Sequence, residues 1–481
     1  MFKQVNAVHL RPTDRQADAW FGDPVPFYWD GVWHLFYVWD QGHLILPRVC
    51  HSWGHFVSRD LVHWEEYPMA IDPGEEASCG TGTVMERDGV FHLFYLGRYF
   101  TTYGVMYETM CHATSTDLIH WRKDPGNPIS LPDTTRYATR DWRDGFPIWN
   151  PEAQEWWMLL TCSLNSGPAA YRGCVGLLAS TDFVNWEPRD PFWAPHMGRH
   201  LECPDLFFWN GWWYLLFSGG YGHTFGTLYR KSRNMTGPWE SPAVDSFDGP
   251  SFYAAKTAGD ASRRMIFGWV GTRKDDVDHG GTQWGGHGLV RELVQDPVDG
   301  TLWVKCPAER LQMGTALPLP DWKAQLGDWQ FADGAATVTW NGDLSYATAA
   351  VPKNFIARFR FTPASAATQR FGFLLRTNDD LTSGYRVYVS PHSQRFGVNA
   401  FAAPEGPQVP TVERPLLCEP GAETTVTVFF SDSILEVFVN DRAALVLRLY
   451  NFKGDRLGLF VHEGGGTFSD LEMRALPEET W

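Results

Sequence analysis

The chain has 481 residues, enough for two domains, and its 44% hydrophobic and 20% charged residues are ordinary for a globular protein. Its formal charge of −16 argues against a polyanionic partner such as nucleic acid. No apolar run reaches the roughly 18 residues of a membrane-spanning helix, so neither nucleic acid nor membrane is expected as a partner.

Aromatic residues are abundant, with 24 Trp, 32 Phe and 17 Tyr. That many rings suit aromatic-rich strands and sugar-stacking surfaces, most of them serving simply as β core. The first ten residues lack the apolar centre of a signal peptide. The eight cysteines are scattered without metal-like CxxC pairs. Reduced thiols and a cytoplasmic location are therefore expected, or a secreted one if a leader has been removed.

Near the N-terminus an acid at Asp23 opens a short strand, a turn at Asp30-Gly31 follows, and an aromatic strand from Trp33 to Tyr37 returns. The same grammar recurs at Glu202, Asn210-Gly211 and Trp212 to Phe217. Between the two runs a Ser-x-Asp turn repeats: Ser58-Arg59-Asp60 to Trp64, Ser115-Thr116-Asp117 to Trp121 and Ser180-Thr181-Asp182 to Trp186. A degenerate copy spans Ser232 to Trp239. Ser and Asp favour such turns by bonding their own backbone, and the Trp can anchor the outer strand that follows.

Aromatic strands centred on Phe36, Phe94, Leu159, Leu216 and Phe267 alternate with these turns at intervals of about 50 to 65 residues. Each interval holds enough short strands for a four-stranded sheet, and helical periodicity is nowhere sustained. The pattern predicts an all-β chain with a five-bladed β-propeller over residues 1–316. Leu317-Pro318-Leu319-Pro320 marks a linker over 317–324. From 325 to 481, alternating strands such as Phe355 to Phe361 and Thr424 to Phe430, with turns such as Asn440-Asp441, predict a β-sandwich.

In a propeller, residues that open equivalent inner strands face one another across a channel. Asp23 and Glu202 qualify, and Asp144 in Arg143-Asp144-Gly145 supplies a third acid from a third blade. Arg140-Asp141 competes with Arg143-Asp144 as the functional pair. Three carboxylates without metal-spaced histidines suit glycoside hydrolysis, with no metal and no cofactor. One carboxylate attacks or orients, and a second, protonated because its site raises its pKa, donates to the leaving oxygen. The third holds sugar hydroxyls, with Arg143 beside Asp144 keeping it ionised.

These residues resemble glycoside hydrolase family 32, the invertase, levanase and inulinase family. Trp20-Phe21-Gly22-Asp23-Pro24 is similar to the motif holding the nucleophile, Arg143-Asp144-Gly145 to Arg-Asp-Pro, and Glu202-Cys203 to Glu-Cys. The resemblance implies Asp23 as nucleophile, Asp144 as transition-state stabiliser and Glu202 as acid/base. Trp53-Gly54-His55, Arg291-Glu292-Leu293, Cys306-Pro307-Ala308-Glu309 and Asp432 to Asn440 extend it over nearly the whole chain. Arg143, Trp20, Trp39, Trp53, Thr81 and Tyr253 are the candidates for sugar contact.

The pocket departs from the family. Gly22 stands where Asn is usual, Val25-Pro26 where Asn-Gly is usual and Val38 where Gln is usual. Cys79-Gly80-Thr81-Gly82 lacks an aromatic, and Ser251 replaces a frequent Asp. The leading expectation is a retaining hydrolase of terminal β-fructofuranosides (fructan, fructo-oligosaccharide or sucrose-like), with or without fructosyl transfer, acting on a small carbohydrate. The alternatives are a furanosidase for another sugar such as arabinofuranose, and an inactive carbohydrate-binding propeller. Retention of all three acids speaks against the last, because binding alone needs no acid/base.

Overall fold

The computed structural model describes residues 2–5, 7–14, 16–43, 50–221, 224–339, 342–402 and 412–478. The chain divides into two compact units: Met1–Thr272 with Thr282–Leu302, and Arg273–Gly281 with Trp303–Trp481. No helix among the described residues is long and apolar enough to cross a membrane.

The first unit is the five-bladed propeller. Its blades begin with the strands Ala19–Trp29, Ser78–Arg87, Tyr137–Asn150, Glu202–Trp209 and Tyr253–Gly259. Each first strand packs against those of the two neighbouring blades, so the five close a ring. Successive strands within a blade are antiparallel, as in Tyr137–Asn150, Glu155–Leu164, Gly173–Ser180 and Glu187–Pro188. Blades one and five share one sheet, joined where Gly286 pairs with Phe21 and Leu10 with Gly288.

Local sequence explains the hairpins. Asp30-Gly31, Asp88-Gly89 and Asn210-Gly211 each hold two consecutive residues at positive φ. This is the geometry of the tight turn whose twist matches the flanking strands. The Ser-x-Asp turns do what their chemistry requires. Asp60 Oδ1 accepts from the backbone N–H groups of Val62 (3.0 Å) and His63 (2.8 Å), and Ser58 Oγ from that of Leu61 (2.9 Å). The copies at Ser115 and Ser180 repeat these bonds. Trp64 then opens the outer strand Trp64–Ile71 with its ring buried.

The second unit contains the β-sandwich. Eight strands, among them Phe355–Pro363, Thr424–Ser431 and Gly466–Ala475, form one sheet; seven, among them Arg370–Thr377, Ser383–Ser390 and Arg456–His462, form the other. Phe359, Phe361, Phe371, Phe373 and Phe468 fill the space between them. Arg358 and Arg360 alternate with Phe359 and Phe361, the period-two pattern of a half-buried strand. Asn440 and Asp441 both take positive φ at the hairpin after Ile434–Val439.

Candidate active site

The first strand of every blade breaks register at an equivalent place. The shifts fall between Phe21 and Pro24, Cys79 and Gly82, Arg143 and Phe146, Glu202 and Asp205, and Tyr253 and Lys256. Such bulges bend a strand and re-aim its side chains, and here all five do so at one end of the ring. The sequence suggested that the acids occupy similar positions. They occupy three successive ones: Glu202 just before its bulge, Asp144 first within its own, and Asp23 second within its own. Asp144, Cys203 and Ala254, the first bulged residues of their blades, all lie at positive φ.

The bulges surround a cavity of about 110 Å³. Asp23, Asp144 and Glu202 line it together with Arg143, Thr81 and Tyr253. Asp23 accepts hydrogen bonds from the Thr81 hydroxyl on Oδ2 and from Trp269 Nε1 (3.0 Å) on Oδ1. Asp144 Oδ2 accepts from Thr161 Oγ1 at 2.7 Å and from the Cys203 backbone N–H at 3.0 Å. Glu202 accepts from Arg143 Nη2 at 2.8 Å and from the Tyr253 hydroxyl at 2.5 Å.

Arg143 lies beside Asp144, as the sequence suggested, but its hydrogen bonds go to other acids. Its Nε lies 3.8 Å from Asp144, whereas its guanidinium N–H groups donate to Glu202, Glu108 (2.9 Å) and Asp141 (2.7 Å). Asp141, the competing acid, is thus a partner of Arg143. Charge redistributes accordingly. Burial pushes Asp23 up to about 6, against the Thr81 bond and with help from the charges of Asp144 and Glu202. Burial also pushes Glu202 up, but Arg143 and the Tyr253 hydroxyl outweigh it and hold the carboxyl below its ordinary value. In the free site the proton therefore favours Asp23, not Glu202.

Trp20, Trp39 and Trp53 lie outside the lining. Trp20 is sandwiched between Arg11 (3.3 Å from its centroid) and the His43 ring (4.6 Å). Trp39 packs on the blade-one core, and fully buried Trp53 donates from Nε1 to the Gly80 carbonyl at 2.8 Å. The lining also includes Val38, His51, Leu96, Arg98 and Trp284. A Cβ on Gly22 would fall 2.2 Å from Trp284 Cη2, and one on Gly80 2.5 Å from Leu96 Cδ2. The two small residues are therefore matched to large neighbours from other strands. Trp284 stands between a glutamine and a glycine pair, and Arg98 closes an aromatic strand. Each is conspicuous there but belongs to no motif.

Residues 9–305 match the description "Glycosyl hydrolases family 32 N-terminal domain", and residues 333–475 match "Glycosyl hydrolases family 32 C terminal". The chain belongs to glycosyl hydrolase family 32. It is 25% identical to the raffinose invertase of Escherichia coli, over 96% of this chain and 93% of that protein. With an insoluble isoenzyme of β-fructofuranosidase from Arabidopsis thaliana it shares 26% identity, over 61% of this chain but only 56% of the plant protein. The sucrose-6-phosphate hydrolase of Escherichia coli is 28% identical over 60% of this chain and 61% of that one. Among solved structures, the exo-inulinase from Aspergillus awamori superposes with a TM-score of 0.72 at 19% identity, covering 98% of both chains. A β-fructofuranosidase from Bombyx mori gives 0.70 at 23% identity, covering 95% of this chain and 92% of that one. These likenesses share the propeller and sandwich.

Proposed function

We propose that this family 32 chain is a retaining hydrolase of terminal β-fructofuranosides, with Asp23 as nucleophile, Glu202 as acid/base and Asp144 as transition-state stabiliser. The observation that carries the reading is the convergence of three carboxylates from three blades on one small cavity. Invertase, sucrose-6-phosphate hydrolase and β-fructofuranosidase relatives support the substrate class.

Asp23 attacks the anomeric carbon while Glu202 protonates the departing oxygen, and the glycosidic C–O bond breaks. Water, deprotonated by Glu202, then releases the sugar from Asp23 with net retention. Asp144 accepts from sugar hydroxyls and faces the positive charge that develops on the ring. The proton that favours Asp23 in the free site must reside on Glu202 in the productive complex. Two features of bound substrate favour that transfer: the glycosidic oxygen gives protonated Glu202 an acceptor, and the electron-poor anomeric carbon favours ionised Asp23.

A second reading, a furanosidase for another sugar such as arabinofuranose, draws support from Trp284 filling the space beside Gly22. Release of sugar from sucrose, short inulins, 4-nitrophenyl β-fructofuranoside and 4-nitrophenyl α-arabinofuranoside separates the readings. Turnover of fructosides well above the arabinoside is expected, and the reverse order overturns the first reading in favour of the second.

A further inference from the structure

One wall of the cavity carries hydrogen-bonding groups that the proposed chemistry does not use. Arg98, on the strand Val90–Phe100, and His51, just before Ser52–Ser58, both line the cavity. They flank the same short stretch of chain. Ser78 pairs with Arg98, while its hydroxyl accepts from the His51 backbone N–H at 3.1 Å. Arg98 Nη1 and His51 Nδ1 are buried and lack a hydrogen-bond partner. They are the two such side-chain atoms among the described lining residues. A buried polar atom left unmatched is costly, so two such atoms on residues that line one cavity mark a place where a partner belongs.

The two atoms are of opposite kinds. Arg98 Nη1 can only donate. His51 Nε2 lies 3.2 Å from Asp40 Oδ1, and a carboxylate only accepts, so the ring hydrogen sits on Nε2 and Nδ1 presents a lone pair. Burial holds the imidazole below its ordinary value against the Asp40 bond, with the Arg98 charge adding to the effect, so the ring is neutral at pH 7. A donor beside an acceptor is the complement of one hydroxyl group, which accepts with its oxygen and donates with its hydrogen.

Trp284 stacks on His51 with centroids 4.3 Å apart, and Val38 and Leu96 are apolar. Charge excludes the obvious rival ligand. Asp23, Asp144 and Glu202, with Glu108 and Asp141 behind them, outnumber the guanidinium groups of Arg98 and Arg143. A phosphate or carboxylate on the sugar would enter a net-negative cavity, whereas a neutral hydroxyl would not be repelled.

We propose that Arg98 and His51 form a specificity site that reads one hydroxyl of the terminal furanose, accepting its hydrogen on His51 Nδ1 and donating to its oxygen from Arg98 Nη1. The site deepens the furanosidase reading and rests on it. A sugar lacking that hydroxyl leaves both groups unmatched and is rejected far more strongly than its lost contact area alone would require.

The test uses the full chain and whichever of 4-nitrophenyl β-fructofuranoside and 4-nitrophenyl α-arabinofuranoside it hydrolyses faster, together with the monodeoxy derivatives of that sugar. One derivative is expected to lose at least about 10- to 100-fold in kcat/KM with the wild-type chain. Arg98→Met and His51→Phe are expected to impose a similar loss on the parent glycoside while leaving that derivative nearly unchanged. Melting curves check that both variants fold; His51→Phe keeps a ring against Trp284, and Arg98→Met keeps the aliphatic stem. Equal losses on parent and every derivative, or none on the parent, overturn the proposal and assign the pair a merely structural role. A faster arabinoside overturns the fructoside reading alone, because the deoxy pattern is then read on that sugar. A chain that hydrolyses neither glycoside overturns both.

Discussion

A carboxyl held at about 6 in the folded chain titrates in the range where the enzyme would work, and Asp23 makes both activity and stability depend on pH. Asp23 and Glu202 together need one proton, and the free site loses it as the pH passes about 6. The profile of kcat/KM, which reports the free enzyme, is expected to fall above about pH 6. A profile flat to pH 8 would contradict that arrangement. The stability consequence follows from the same raise. The folded chain binds the Asp23 proton more tightly than the unfolded chain, so this contribution is full below 3.8 and is lost as pH rises through about 6. Above that, ionised Asp23 costs at most about 3 kcal/mol. Asp23→Asn keeps an oxygen for Trp269 and can turn its amide to the rotatable Thr81 hydroxyl. It is expected to abolish turnover yet raise the melting temperature at pH 8, with little change at pH 4. A lower melting temperature at pH 8 would refute the cost of the charge.

At the scale of elements, the cavity is made by register breaks rather than by strands as such. The Ser-x-Asp turns and the Asp-Gly and Asn-Gly hairpins were legible because their side chains or glycines are needed for the local backbone. Blade number was legible because five aromatic strands recur at intervals of about 50 to 65 residues. The bulges were not, since inserting a residue into a ladder leaves no compositional mark. Arg98, His51 and Trp284 were missed for a related reason: each comes from a strand end with no motif and acquires meaning only across blades. Trp20, Trp39 and Trp53, candidates for sugar contact, instead lie outside the lining; Trp39 follows the lining residue Val38 on its strand and so points to the opposite face. The match of Gly22 to Trp284 couples blades one and five. Gly22→Asn alone forces a side chain into the Trp284 ring and is expected to cost about 1–3 kcal/mol, read in denaturant unfolding. Adding Trp284→Ala should recover part of that loss. If Gly22→Asn unfolds like wild type, the two residues are not matched.

For the whole molecule, stability in the second unit depends on a charge pair that lies inside it. Arg310 and Glu436 are bonded at 2.7 and 3.2 Å and are almost completely buried. Burial alone would lower the Arg310 pKa, but Glu436 outweighs it and the value is raised. Breaking such a pair from one side leaves a buried charge poorly compensated. Glu436→Gln is therefore expected to destabilise the chain by about 3–5 kcal/mol, and Arg310→Met with Glu436→Leu by less. Equal losses from the single and the double change would show that packing, not charge, dominates there. The central claim, retention through Asp23 and Glu202, is tested most directly by NMR observation of the first-formed anomer during hydrolysis of the fastest glycoside, before mutarotation. The account predicts that the released sugar first appears with the anomeric configuration of the substrate; first appearance of the opposite anomer would contradict it and make Asp23 a base acting on water.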